Sequence, residues 1–179
     1  MNLYFRLVWG WVRGRMRSHV GIWDVCTTPY RVWPGDLDVF GHMTNSRYMA
    51  IQDLARMDLM YRSRAWKQFT SRGWYPVVAG QTISYFRSLQ PWQKFEVHTR
   101  VLGLDDRWTY LEQRFVSQGK VYSRSIIRTR FLKKTGGSVE HDELEQIFED
   151  IPGEHQIPEW IKEWASHSRP IAVTDMGTD

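Results

Sequence analysis

The sequence predicts an α+β domain in which a curved, antiparallel, five-stranded sheet wraps around one long helix. Three observations lead there. From about Asn45 to Arg72, apolar residues recur at helical spacing in two adjacent stripes. After Gly73 the period falls to two, and four strand-like segments follow with short turns between them. A further strand, within residues 21–33, precedes the helix.

Residues 1–20, MNLYFRLVWGWVRGRMRSHV, place Leu3, Leu7, Val8, Trp11 and Val12 at helical spacing, with Arg6, Arg13 and Arg17 on another side. Arginines interrupt the apolar run that a signal peptide needs, so the segment reads as a basic amphipathic helix. Two placements fit it: packing on the domain or a partner subunit, or lying in the plane of an anionic membrane through residues 1–18. The first strand follows, with Val25, Tyr30 and Val32 among its strand-formers. A tight polar turn, P-G-D-L-D-V-F-G-H-M-T-N from Pro34 to Asn45, then feeds the helix, with Asn45 or Ser46 as its N-cap.

The stripes Ala50, Leu54, Met57, Tyr61, Ala65 and Tyr48, Ile51, Ala55, Leu59, Trp66 give this helix a wide apolar face, which a curved sheet covers most simply. Asp58 and Arg62, four residues apart, read as a structural ion pair. The four later strands are Val77–Leu89, Phe95–Leu102, Trp108–Val116 and Val121–Leu132, and the short turns between them predict hairpins. Glu143–Phe148 and Pro158–Ser166 read as short helices that dock through tryptophans. The chain is thus expected to divide into an N-terminal helix (1–20), one domain (21–167) and a loose tail (168–179).

With 179 residues the chain can hold one domain with a substantial core. Its formal charge of +4 suits an anionic ligand or surface. The arginines are scattered among apolar segments rather than gathered into a block, which argues against nucleic acid. Cys26 is the sole cysteine, so no intrachain disulfide forms, and a reducing, cytoplasmic setting is expected, with membrane association if the N-terminal helix lies on lipid. None of the six histidines sits in a metal-ligand spacing, so no metal is expected. No apolar stretch approaches the roughly 20 residues that span a bilayer.

The turn carries the chemistry. A helix start collects backbone N–H groups without intrahelical partners at the positive end of the helix dipole. That place suits a developing oxyanion, and a carboxylate stands a few residues upstream. The run D-L-D-V-F-G-H-M-T-N-S-R-Y, followed by an apolar helix and four meandering strands, resembles the hotdog-fold thioesterases of the 4-hydroxybenzoyl-CoA thioesterase group. Within that group it looks most like the thioesterase superfamily member six type. The resemblance covers roughly residues 22–165. It implies an acyl-CoA thioesterase, working as a homodimer or dimer of dimers with sites at the subunit interface. Coenzyme A would enter as part of the substrate, with no separate cofactor.

The resemblance makes Asp38 the catalytic acid and Gly41 the turn glycine, sets the Asn45 N–H toward the thioester carbonyl, and matches Tyr48 to the family's helix tyrosine. Many relatives carry two asparagines where this chain has Thr44-Asn45. From the residues themselves, Asp38 is either a general base or nucleophile, or a capping aspartate. Asp36 reads as turn-forming, and His42 as a donor that tunes Asp38 or the turn. Arg87, Arg128 and Arg130, with Lys133 and Lys134 beyond them, are the cations available to coenzyme A phosphates. Two rival functions use the same frame: a binding module for acyl-CoA or lipid that turns nothing over, and an acyl-thioester dehydratase, for which no motif is present.

Overall fold

A computed structural model of the chain describes residues 17–148 and 157–168. The expected N-terminal helix and tail fall almost wholly outside them. Strand β1 spans Cys26–Arg31, and a single 3-10 turn at Pro34–Asp36 leads to the polar turn. Helix α1 runs Asn45–Arg62 and α2 runs Ala65–Ser71. The long strands follow: β2 Trp74–Tyr85, β3 Lys94–Leu104, β4 Thr109–Ser117 and β5 Lys120–Lys133. Short helices α3 (His141–Glu145) and α4 (Glu159–His167) close the described chain.

The single helix expected over 45–72 is two. Arg64 adopts a left-handed backbone (φ 63°) between them and ends the α1 ladder. The N-cap is Thr44, one residue before the expected position. The five strands form one antiparallel sheet in the order β1-β3-β4-β5-β2. Hairpins join β3 to β4 and β4 to β5, as the short turns predicted. The connection from β2 to β3 is not a hairpin: residues 86–93 cross the end of the sheet, because β2 pairs with β5 instead. Leu89, fully buried, anchors that crossing in the core. Bulges interrupt the β2–β5, β3–β4 and β4–β5 ladders and add the local twist that curls the sheet.

Only one of the two predicted stripes of α1 is deeply covered. Tyr48, Ile51, Ala55 and Leu59 are buried, whereas Ala50, Leu54, Met57 and Tyr61 are partly exposed. The core beneath α1 comprises two apolar clusters. One joins Val32, Met43, Tyr48, Ile51, Leu89, Phe95, Val97 and Phe115. The other joins Cys26, Leu59, Phe69, Val101, Leu111, Ile127, Phe131 and Phe148. Between them one rung crosses all five strands, Cys26–Thr99–Gln113–Ser125–Ile83, and three of its members are polar.

Helix α1 satisfies that polar seam. Gln52 Nε2 donates to Ser125 Oγ, Gln113 Nε2 donates to the Gln52 carbonyl (3.0 Å) and to Thr99 Oγ1 (2.9 Å), and Arg56 Nη1 donates to Gln113 Oε1 (2.8 Å). Burial depresses the Arg56 pKa, and its ion pair with Asp53 partly offsets this. The predicted Asp58–Arg62 pair is present at 3.6 Å, with Arg17 as a second partner of Asp58 at 3.2 Å.

Candidate active site

Residues 36–44 form a small antiparallel ladder that sets the site. The Thr44 N–H donates to the Asp36 carbonyl (2.9 Å), Leu37 bridges Met43, and the Asp38 N–H donates to the His42 carbonyl (2.8 Å). The Gly41 N–H closes the tip on the Asp38 carbonyl (3.1 Å), and Gly41 sits at φ 75°, a conformation that glycine adopts without steric cost. Met43, buried, and Leu37, partly buried, plug the turn into the core.

The two aspartates have opposite environments. Asp36 is 1% exposed; its Oδ2 accepts the Trp33 N–H (2.9 Å), and its Oδ1 lies 3.6 Å from Arg47 Nε. It is the structural acid of the turn, as expected. Asp38 is exposed on the single chain. Its Oδ1 accepts the N–H groups of Phe40 (2.9 Å) and His42 (3.0 Å), which fixes the carboxylate over the tip. Val39 and Phe40, at 93% and 81% exposed, flank it.

Helix α1 starts three residues beyond His42. The N–H groups of Arg47 (3.0 Å) and Tyr48 (3.3 Å) turn back to the Thr44 carbonyl, which leaves those of Asn45 and Ser46 as the open donors of the first turn. The Thr44 hydroxyl lies 3.1 Å from Ser46 Oγ rather than capping the helix. Asp38, Gly41, His42 and Asn45 are therefore gathered on one exposed corner of the molecule.

Tyr48 lies beneath that corner. It is 2% exposed, with its ring 4.9 Å from Phe115 and 5.0 Å from Tyr85. Burial raises its pKa, and a hydrogen bond from the Leu89 backbone pulls the other way. It acts as a brace for the turn and the crossing segment, not as a group open to substrate. Arg87 lies at the same end of the sheet, exposed, and donates to the Val121 carbonyl (3.0 Å).

Arg128 and Arg130 lie elsewhere, and the first is unavailable as a phosphate ligand. Arg128 is 1% exposed; it donates to the carbonyls of Ala165 (2.7 Å) and Ser168 (3.0 Å) and lies 4.7 Å from the Trp108 ring and 5.6 Å from the Trp164 ring. Its role is to clamp α4 on the sheet, with Gly80 leaving room for the guanidinium. Arg130 is partly buried over Trp108 (5.6 Å).

The sequence also left a cavity unannounced. About 230 Å³ of space opens beneath the far half of α1, lined by Met57, Met60, Phe69, Val101, Phe131 and Phe148 among others, with Asp53 and Arg56 also on its wall. At 1.5 Å per residue, Met57 lies about 18 Å along α1 from Asn45. The cavity and the turn are thus separate features. No spacing rule reveals a void whose walls come from two helices, four strands and a C-terminal segment.

Comparison with known proteins bears on this geometry. Residues 32–165 match the model of the Thioesterase-like superfamily. A Xenopus laevis protein named THEM6 is 34% identical over 142 residues, covering 78% of this chain and 69% of that one. A probable thioesterase of Saccharomyces cerevisiae is 28% identical over 104 residues, covering 58% of this chain and 45% of the yeast protein. Among solved structures, the probable thioesterase YbaW of Escherichia coli superposes with a TM-score of 0.66 at 22% identity, over 74% of this chain and 99% of that one. That likeness shows a shared fold.

Proposed function

The chain belongs to the Thioesterase-like superfamily, and from that membership we propose that it hydrolyses an acyl thioester, with coenzyme A as the thiol carrier, to the free acid and thiol. The observation that carries the proposal is the 36–44 turn, which holds an exposed, oriented Asp38 carboxylate beside the open amides of a helix start.

Thioester hydrolysis requires an activated water or nucleophile, a site for the tetrahedral oxyanion and departure of a thiolate. In this reading Asp38 takes a proton from water, or attacks the carbonyl carbon itself. The Asn45 and Ser46 amides receive the oxyanion, where the helix dipole adds to their effect. His42 supports through its backbone, which donates to Asp38, and Gly41 keeps the tip free of a side chain. Arg87, exposed at this end of the sheet, is the cation assigned here to the carrier's phosphates.

The working unit in this reading is a homodimer. Strand β2 is an edge of the sheet, and Tyr75, Val77, Val78 and Tyr85 along it are 38–43% exposed. An apolar edge strand of this length invites pairing with a second copy. Such pairing would also cover Met49 on α1 and the Val39–Phe40 tip, and close the site over Asp38.

A panel of acyl-CoA substrates of graded chain length, followed by release of free thiol, tests the activity. Saturable turnover with a preferred length is expected. Saturable binding without thiol release at any length would replace the enzyme with an acyl-CoA binding module.

A further inference from the structure

On the face of the sheet turned away from α1, Glu112 is 1% exposed and yet holds three arginines. Arg124 Nε lies 2.5 Å from Glu112 Oε1, Arg100 Nε 2.7 Å from Oε2, and Arg114 Nη2 3.0 Å from Oε2 and 3.1 Å from Oε1. Burial alone would raise the Glu112 pKa, but the hydrogen bonds from Arg114 and Arg124 and the positive charges around it bring it below the ordinary carboxylate range. One negative charge therefore stands against three positive ones.

The geometry of those contacts matters more than their number. Arg100 and Arg124 meet Glu112 through Nε, and among the described residues no hydrogen bond engages their Nη groups. All three side chains stay 38–41% exposed. In register, Arg114 lies directly opposite Arg124 on β5 and opposite His98 on β3. Like charges on facing strands destabilise a sheet, and a single carboxylate does not neutralise this set. His98 is engaged with Glu96 at 3.0 Å. Trp160 of α4, 44% exposed, lies 5.5 Å from the Arg124 guanidinium and walls one side, while Ser84 of β2 faces Arg124 on the other.

We propose that Arg100, Arg114 and Arg124, pinned by Glu112, form a binding site for a phosphate-bearing ligand on the outer face of the sheet. Half-exposed guanidinium groups held in place by one carboxylate keep N–H donors for charge-assisted contact with phosphate oxygens. A ligand carrying two negative charges would balance the excess. Three sources share this chemistry: the phosphates of a coenzyme A carrier, free pyrophosphate, and the headgroup of an acidic phospholipid. The site is separate from the turn, which packs with α1 on the other face of the sheet.

The test is calorimetric titration of the full chain with coenzyme A, dephospho-coenzyme A, inorganic pyrophosphate, and phosphatidylcholine vesicles with and without phosphatidic acid. Saturable binding of at least one phosphate probe is expected, and the tightest identifies the source. Arg114→Gln should weaken it by about tenfold or more, the loss of one charge-assisted contact, while the distant Arg107→Gln leaves it unchanged. Ser84→Glu, which sets a carboxylate against Arg124 without disturbing Glu112, should weaken it likewise and serves if Arg114→Gln fails to fold. No binding by any phosphate probe, or binding that neither variant weakens, would overturn the proposal.

Discussion

At the Thr44 end of α1 the core is a stack of rings: Tyr48, Phe115, Phe95 and Tyr30 follow one another at centroid separations of 4.9–5.8 Å. At the Arg62 end, Met57, Leu59 and Met60 stand over about 230 Å³ of unfilled space. The polar rung through Thr99, Gln113 and Ser125 lies between. The difference separates two requirements of one small domain. A carboxylate and open amides held in fixed geometry need a rigid floor, which the stacked rings supply. Room for an apolar group needs the opposite, and flexible methionines border it.

The largest effect is expected from truncating the rigid floor. Ile51→Ala, at a fully buried position, should cost about 4 kcal/mol in urea denaturation, because its packed neighbours cannot collapse into the gap. Met57→Ala, on the partly exposed cavity wall, should cost about half as much. Equal costs would remove the contrast between the two ends.

An alkaline titration examines the cavity-end cluster. Burial, reinforced by Asp58, raises the Cys26 thiol from 9.0 to about 11, so the unfolded chain loses its proton first and stability declines as pH rises from 9 to 11. The decline due to this group is on the order of 2 kcal/mol, and Cys26→Ala should flatten it. An added methylene gives a related contrast. Val97→Ile at the stacked end should destabilise by about 1–2 kcal/mol, whereas Val101→Ile, facing the cavity, should be neutral or stabilising in thermal melts. The smallest effect is expected for Tyr48→Phe, which loses the hydroxyl that accepts the Leu89 N–H and should cost about 1 kcal/mol with little change in turnover.

The order of elements, the shape of the turn and the turn-forming place of Asp36 are readable in the sequence. Periodicity reports which way side chains face along one segment, and the D-x-D spacing with Gly41 and a helix behind it fixes a local shape. What was not readable is long-range. Alternation marks β2 as a strand but not as the neighbour of β5, so the crossing through Leu89 reads along the chain as a hairpin. The break at Arg64 depends on one left-handed residue of a type that rarely adopts it. Arg128 reads as a surface cation because nothing in its surroundings along the chain announces the two tryptophans and two carbonyls that bury it.

Hydrolysis by this chain is proposed to need the Asp38 carboxylate at the open end of α1, and the most direct measurement is the rate of thiol release from a preferred acyl-CoA by Asp38→Asn, taken beside its melting temperature. Because the asparagine oxygen can still accept the Phe40 and His42 amides, the turn should keep its shape and the melting temperature should stay near that of the parent. The rate should fall by roughly a hundredfold or more, in the range seen when an acid–base group is removed. A variant that stays folded and hydrolyses the thioester as fast as the parent would contradict the account.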